Sequence, residues 1–406
     1  MLINRNIYWT EIKPFIDKPV IKVITGMRRV GKSYFLRQII EELKLKGIAP
    51  EQILYIDKED LKYDSIRTYQ DLNSYVKKEF KDITAKRYLL IDEIQEIENW
   101  EKTISSLLKT DSADIYITGS NAHLLSSELS TLISGRFVDI QIYPLGYSEY
   151  VTFRGKDFTS DKTEFEAFLR YGGLPGLFHF EKTDEVVFQY LSSVFNTILL
   201  KDIVKRYSIR NISLLERVSA FVFDNIGNLL TANNISNYLK SQKIQTYSDT
   251  VQIYLGYFVS TFIAHKVPRY DLKGKRILSI NEKYYLNDLG IRHSILGYRS
   301  ADISQILENV VYLELLRRGY SVNVGVLVDK EIDFIATKQN KKIYIQVAYI
   351  LGSDKTVERE FSPLLDIDDN YPKYVLSMDD NIWGNDYKGI IRLNLIDFLL
   401  KFPTDA

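Results

Sequence analysis

The sequence predicts an α/β protein. It begins with a parallel sheet carrying helices on both faces, continues through a helical segment and then three helices with a β-hairpin, and closes on a mixed α/β module. Three observations carry that reading. Short apolar, β-branched runs alternate with helical periodicities through residue 143, as parallel strands and their crossover helices do. A glycine-rich turn closing on Gly-Lys-Ser separates the first run from the first helix, the place where phosphate-cradling turns occur. Apolar spacing then becomes helical and returns to strand-like runs only past residue 260.

The elements follow in order. Val20–Thr25 is an apolar, β-branched strand. Ser33–Lys46 places Phe35, Leu36, Ile39, Ile40 and Leu43 on one helical face, and Gly47 ends it. Strands are expected at Gln52–Ile56, Arg87–Ile91, Asp114–Thr118 and Val138–Ile142, with helices at Gln70–Phe80 and Asn99–Lys109. From Tyr143 the pattern turns helical. Helices Glu164–Tyr171 and Glu185–Lys205 flank the turn Gly172-Gly173-Leu174-Pro175-Gly176. Residues 144–212 read as a lid on the 1–143 core. Leu214–Asn228, a helix capped by Thr231 and running to Ser241, and Ser248–Ser260 precede strands Phe262–Val267 and Arg276–Tyr285. Three helices and a hairpin over 213–300 describe a winged helix-turn-helix. In 301–406, helix Ile306–Arg318 is closed by Gly319, and strands Val322–Leu327, Glu331–Thr337 and Lys342–Tyr349 follow.

Composition narrows the chemistry. Of 406 residues, 45% are hydrophobic and 26% charged, an ordinary globular balance. The 53 Lys plus Arg equal the 53 Asp plus Glu, so no global basic field draws the chain to nucleic acid. With no cysteine, disulfides, thiol catalysis and Cys-ligated zinc are excluded. His123, His179, His265 and His293 have no metal-ligand spacing and read as surface or satisfied core residues. No apolar stretch approaches the roughly 20 residues of a bilayer span. The N-terminus has no signal-peptide pattern, and the expected location is the cytoplasm.

Gly26-Met27-Arg28-Arg29-Val30-Gly31-Lys32-Ser33 matches G-x-x-x-x-G-K-[ST] between a strand and a helix. Glycines let backbone N–H groups turn toward phosphate oxygens, and the helix N-terminus adds partial positive charge. Lys32 is expected to meet the β- and γ-phosphates of ATP, and the Ser33 hydroxyl to ligate Mg²⁺. Tyr88-Leu89-Leu90-Ile91-Asp92-Glu93 is an apolar strand ending in two acids. Asp92 suits the magnesium shell and Glu93 suits polarising the attacking water. Asn121, after the turn Gly119-Ser120, is either a polar turn residue or an amide orienting the water. Arg136, in Ser134-Gly135-Arg136-Phe137, is either a surface residue or a side chain reaching a neighbour's nucleotide. Its place before Val138 is expected to lie at the sheet rim near the carboxyl ends of the strands.

These motifs, with Thr118-Gly119-Ser120-Asn121 and Tyr171-Gly172-Gly173-Leu174-Pro175, resemble prokaryotic AAA+ ATPases that carry a C-terminal domain of unknown function. The resemblance covers essentially the whole chain. It implies a P-loop NTPase fold, Asn121 as the sensor residue, and Arg136 as an arginine finger acting between subunits of a homo-oligomer. The family's C-terminal region resembles a PD-(D/E)XK nuclease fold, whose acids hold Mg²⁺ while a lysine stabilises phosphate charge. Here Glu308 lies on the preceding helix and Asp333 on a strand, but Gln346 replaces the second acid and Ala348 the lysine. A neutral amide is a poorer Mg²⁺ ligand. Lys341 or Lys342 is an alternative source of charge. The favoured expectation is a retained fold without cleavage, with Asp333 open to the bland reading that it faces solvent on an alternating strand.

The hairpin carries Lys266, Arg269, Lys273, Lys275 and Arg276 against Asp271, with Tyr270 interleaved, a pattern suited to a DNA phosphate backbone. Ser248–Ser260 contains no Lys or Arg, so protein docking stands beside DNA binding. The expected function is a Mg²⁺-dependent AAA+ ATPase that moves the winged-helix and nuclease-like modules. Two alternatives are a nucleotide-gated DNA-binding switch with little turnover and an ATP-dependent nuclease.

Overall fold

The structure, a computed structural model, describes residues 4–110, 112–122, 135–155, 162–380 and 386–402. His123 and Ser134 lie outside these residues. The chain divides into two compact units, Met1–Tyr143 with Ser260–Phe262, and Pro144–Val259 with Ile263–Ala406.

The first unit contains α1 (Asn6–Ile12), β1 (Ile21–Thr25), α2 (Lys32–Leu45), β2 (Ile53–Asp57), α3 (Tyr69–Glu79), β3 (Tyr88–Asp92), α4 (Glu101–Lys109), β4 (Asp114–Gly119) and β5 (Phe137–Gln141). All five strands are parallel, in the order β2-β3-β4-β1-β5. Alternate residues Ile21, Val23, Leu89, Ile91, Ile115 and Ile117 enter one core with Leu72 and Val76 of α3 and Ile104, Leu107 and Leu108 of α4. α2 packs against β3 and β4. Strands β1, β3 and β4 are therefore buried along their whole length, which is why they read as unbroken apolar runs. At the amino ends of the strands, Lys22 and Asp114 form a fully buried ion pair. Tyr116 donates its hydroxyl to the same carboxylate at 2.7 Å, and Asp17 donates its N–H at 3.0 Å.

The second unit begins with α5 (Tyr147–Phe153), α6 (Lys162–Tyr171) and α7 (Asp184–Thr197), which runs on as a π-helical stretch, Ile198–Lys205. The single α-helix expected over Glu185–Lys205 thus changes its hydrogen bonding at Ile198. Next come α8 (Ile212–Asp224), β6 (Leu229–Leu230), α9 (Ala232–Ser241), α10 (Ser248–Ser260), β7 (Ala264–Asp271), β8 (Arg276–Leu286) and α11 (Leu289–Leu296). The chain closes with α12 (Ile303–Arg317), β9 (Ser321–Leu327), β10 (Lys330–Lys338), β11 (Lys341–Val347), α13 (Asp354–Leu365), β12 (Lys373–Ser377), β13 (Asp386–Tyr387), β14 (Ile390–Asn394) and α14 (Leu395–Lys401). The glycine pair at 172–173 has a local cause. Gly172 has φ +78°, and a Cβ there would collide with the Asp288 carboxylate. That carboxylate accepts the Gly173 N–H at 2.8 Å and caps α11 by accepting the Ile291 N–H at 3.0 Å.

The hairpin of β7 and β8 is not a free wing. β7 also pairs in parallel with β9, Arg269 opposite Val324 and Asp271 opposite Val326. The result is one nine-stranded sheet, β13-β14-β12-β11-β10-β9-β7-β8-β6. A lone hairpin is marginal in water and leaves an unpaired edge; β9 supplies the missing partner.

Asp333 does not face solvent. Ile332 to Ala336 are all buried, because β10 is covered on both faces. The register between β10 and β9 shifts by one residue between Ile332 and Ile335, a bulge of the kind that re-aims a side chain.

Candidate functional site

β1 ends at Thr25, and Gly26 to Gly31 turn the chain into the N-terminus of α2. Gly26 has φ +142°, and a Cβ there would overlap the Ile142 carbonyl oxygen; no other residue fits. Gly31 caps α2 with φ +103°. The turn thereby leads from the carboxyl end of β1 straight into the N-terminus of α2, whose positive end suits an anion. Arg5 holds the turn from α1's side, donating Nη1–H to the Val30 carbonyl at 3.0 Å and to that of Tyr143 at 2.9 Å.

Lys32 is 4% exposed. Its ammonium donates to the carbonyls of Gly26 at 3.1 Å and Met27 at 3.2 Å and stands 3.6 Å from Glu93 Oε1. Asp92 ends β3, and the Ser33 hydroxyl lies near its carboxyl. The Thr118 hydroxyl donates to Asp92 Oδ1, and the Tyr55 hydroxyl to Oδ2 at 3.3 Å. Burial pushes the Asp92 carboxyl up from the ordinary range, while the Ser33 and Thr118 hydroxyls pull it down, Glu93 raises it and Lys32 lowers it. Burial also raises the Tyr55 hydroxyl, reinforced by Asp92 and Asp57, so it stays a proton donor to Asp92. Glu93 follows in the left-handed region, φ +54°. Its N–H donates to Thr118 Oγ1 at 3.0 Å, and its Oε2 accepts from Gln95 Nε2 and from Ser120 Oγ at 3.4 Å. Arg28 pairs with Glu59 at 3.1 Å.

Ser33 and Asp92, near each other and near Lys32, fit Mg²⁺, which takes one or two protein oxygens and completes its shell with phosphate and water. The structure thus brings the turn, Lys32, Ser33, Asp92 and Glu93 together. Asn121, 1% exposed, follows β4, which lies between β3 and β1, so it is at the same end of the sheet.

Arg136 is not. Its carbonyl accepts the Ile21 N–H at 3.0 Å, and Phe137 pairs with Ile21 while Gln141 pairs with Thr25. It therefore lies at the amino ends of the strands, not at the carboxyl ends expected above. The length of β1, about 13 Å at roughly 3.3 Å per residue, separates it from its own chain's phosphate turn. The sequence order strand–turn–strand did not disclose this, because parallel strands all start at the end opposite the site.

Arg5, Tyr55, Gln95, Thr118 and Ser120 were not singled out by sequence as site residues. For Thr118 a signal exists: it stands last but one in a strand adjacent to the acidic strand, so its hydroxyl comes level with Asp92. Arg5 leaves none, being 25 residues from the Val30 it holds.

In the second unit Glu308, Asp333 and Gln346 do converge. With Ser304, Tyr349 and Glu360 among others they line an open cavity of about 320 Å³. Burial, then Glu308, pushes the Asp333 carboxyl well above the carboxylate range, against Lys283. Lys283 is the unforeseen member: burial alone would lower its ammonium's pKa, but Glu308, Asp333 and Glu331 together raise it. On the hairpin, Lys266 pairs with Glu282 at 3.1 Å and Arg276 faces Asp271 at 3.9 Å, while Lys273 and Lys275 are exposed at the turn. His265 bonds Asn287 at 3.2 Å, His293 bonds the Arg170 carbonyl at 2.9 Å, and His179 is exposed. Among the described residues no helix is long and apolar enough to cross a membrane.

Known proteins share this sequence pattern. A family model described as an AAA domain matches residues 18–151, and one described as a domain of unknown function, DUF8612, matches 162–302. An uncharacterized protein of Haemophilus influenzae is 38% identical over 403 residues, covering 98% of this chain and 99% of the relative. An uncharacterized protein of Methanocaldococcus jannaschii is 32% identical over 376 residues, covering 88% and 80%. Among solved structures, Cdc6p from Pyrobaculum aerophilum aligns with TM-score 0.32 and 11% identity over 77% of this chain and 95% of that one. AMPPCP-bound DnaA from Aquifex aeolicus aligns with TM-score 0.32 and 13% identity over 61% and 84%. The AAA-domain match spans the phosphate turn and the acidic strand just described, and by its full-length matches the chain belongs to the family of these two relatives, with an AAA domain over residues 18–151.

Proposed function

We propose that the protein is a Mg²⁺-dependent ATPase that hydrolyses ATP to ADP and phosphate and uses turnover to move its C-terminal winged-helix and nuclease-like modules. The observation that carries this reading is the convergence of Lys32, Ser33, Asp92 and Glu93 at the carboxyl end of one parallel sheet. In this reading the turn's N–H groups and Lys32 hold the β- and γ-phosphates. Mg²⁺, when bound by Ser33 and Asp92, supplies charge neutralisation to the phosphates. Glu93 orients a water and takes its proton as the water oxygen bonds the γ-phosphorus and the bond to the β–γ bridging oxygen breaks. Gln95, Ser120 and the Thr118 hydroxyl limit where Glu93 can point. Asn121 is proposed to hold the same water or the γ-phosphate. Arg136 is proposed to act on a neighbouring subunit's nucleotide, since its own lies beyond its reach. The modules are proposed as core 1–143, lid 144–212, winged helix 213–300 and nuclease-like 301–406. DNA is proposed to meet Lys266, Arg269, Lys273, Lys275 and Arg276, with Lys273 and Lys275 foremost because they are exposed at the turn.

Paired nucleotide-binding and steady-state hydrolysis measurements test the core of this. Lys32→Ala is expected to lose tight ATP binding, and Glu93→Gln to keep binding while turnover stops. Normal turnover by Glu93→Gln removes Glu93 from the mechanism.

A further inference from the structure

The nuclease-like reading of the last module calls for a divalent cation held by carboxylates on one helix and two strands. What surrounds those residues decides whether such an ion fits. Glu308 on α12 receives the Tyr285 hydroxyl on Oε2 at 3.0 Å, and Lys283 Nζ stands 3.5 Å from that oxygen. The same ammonium is 2.7 Å from Glu331 Oε1 on β10, and the Lys283 side chain is 5% exposed. At the position of the second acid, both ends of the Gln346 amide are in use. Its Oε1 accepts the Asp333 N–H at 3.3 Å, and its Nε2 donates to Glu360 Oε2 at 3.1 Å. The other Glu360 oxygen takes Arg359 Nε–H at 2.8 Å, and Asp333 Oδ2 takes the Val347 N–H at 2.8 Å. Among the described residues no three His, Cys, Asp or Glu side chains group as a metal cage requires. The residues do not fit a resident divalent ion.

We infer that the Lys283 ammonium is the built-in cation of this cluster, taking the place of the metal ion of a nuclease-like module. Acids gathered this closely, Asp333 buried and Glu308 and Glu331 only partly exposed, need a positive charge beside them. Lys283 supplies one from β8, a strand of the hairpin, far in sequence from the helix and strands that carry the acids. Because it is covalently part of β8, it ties the hairpin to α12 and β10 as no exchangeable ion would. A divalent ion entering here would strand the buried ammonium without its partners, which is costly. The module thereby keeps its charge balance with no metal.

Mn²⁺ titration of the nucleotide-free full chain, followed by the spectroscopic signal of free Mn²⁺, tests this without touching ATP turnover, so failure here leaves the ATPase reading intact. Wild type and Asp333→Asn are expected to take up Mn²⁺ indistinguishably. Lys283→Met keeps the apolar stem and removes the charge; it is expected to gain one site at least tenfold tighter than anything in wild type, and a further Glu308→Gln is expected to abolish the gain. A saturable wild-type site that Asp333→Asn removes overturns the inference. So does a folded Lys283→Met protein with no added site. Should Lys283→Met fail to fold, the comparison of wild type with Asp333→Asn decides alone.

Discussion

Replacing Thr118 by valine changes almost nothing in volume and removes one hydroxyl from the centre of the site. That hydroxyl is fully buried, accepts the Glu93 N–H at 3.0 Å and donates to Asp92 Oδ1. In Thr118→Val the Glu93 N–H loses its acceptor, an orphaned buried donor that costs about 1–3 kcal/mol. Asp92 loses the Thr118 bond, which helps offset its burial, a charged hydrogen bond of about 1.5–3 kcal/mol. The two losses share one group and do not add, so a stability loss of about 2–4 kcal/mol is expected. Both acids are then less firmly placed. If that costs about 2 kcal/mol of barrier, turnover falls roughly 30-fold. Thr118→Ser keeps the hydroxyl, loses one methyl worth about 1 kcal/mol, and is expected to keep most turnover. The assay pairs thermal unfolding with steady-state ATPase rate, and hydrogen exchange at the Glu93 amide reads the broken bond directly. A valine variant matching wild type in unfolding midpoint, rate and exchange would refute the reasoning, because an unbonded hydroxyl is the only state whose removal is free.

Arg136→Ala is expected to bind ATP normally and lose most turnover, and mixing it with Glu93→Gln to restore activity at hybrid interfaces; hybrids that stay inactive place Arg136 outside catalysis. Charge reversal of Lys273 and Lys275 is expected to weaken DNA binding and flatten its salt dependence by about one unit of slope for each phosphate no longer neutralised, whereas wild-type protein that ignores DNA at low salt turns the hairpin into a protein-docking element. Burial, offset by the Gly173, Ile291 and Gly290 N–H groups and Arg317, raises the Asp288 carboxyl to about 6. A raised acid favours the fold below its unfolded pKa and loses that contribution as pH climbs through about 6. Asp288→Asn is therefore expected to gain on wild type between pH 4 and pH 7 by up to about 3 kcal/mol, read as the difference in unfolding midpoint at the two ends; a constant difference across that range rules out Asp288 as the source. The buried Lys22–Asp114 pair predicts that Asp114→Ala, which strands Lys22 inside the sheet, loses about 3–5 kcal/mol, while an unchanged midpoint would mean that Lys22 finds another partner.

What the sequence by itself determined is local. Periodicity marks the strands of the parallel sheet and the helices between them to within a residue or two, clearest at β1, β3 and β4, because fully buried strands must be apolar throughout; α1 was not read from the sequence. The phosphate turn is legible because its geometry depends on residues adjacent in the chain: Gly26 and Gly31 supply backbone angles that few others tolerate, and Lys32 and Ser33 come next on the helix. Asp92 and Glu93 are legible because an apolar run stops at them. Tertiary structure decided everything that depends on which strand lies beside which. It set Thr118 level with Asp92, turned Arg136 to the opposite end of the sheet, and gave β7 a second neighbour in β9. It buried Asp333 by covering both faces of β10, where alternation alone allows a solvent-facing acid. It brought Lys283 from the hairpin to Glu308 and Glu331. A side chain's chemistry is written in its identity, but its partners are fixed by packing between segments distant in the chain, and a single sequence contains no distances.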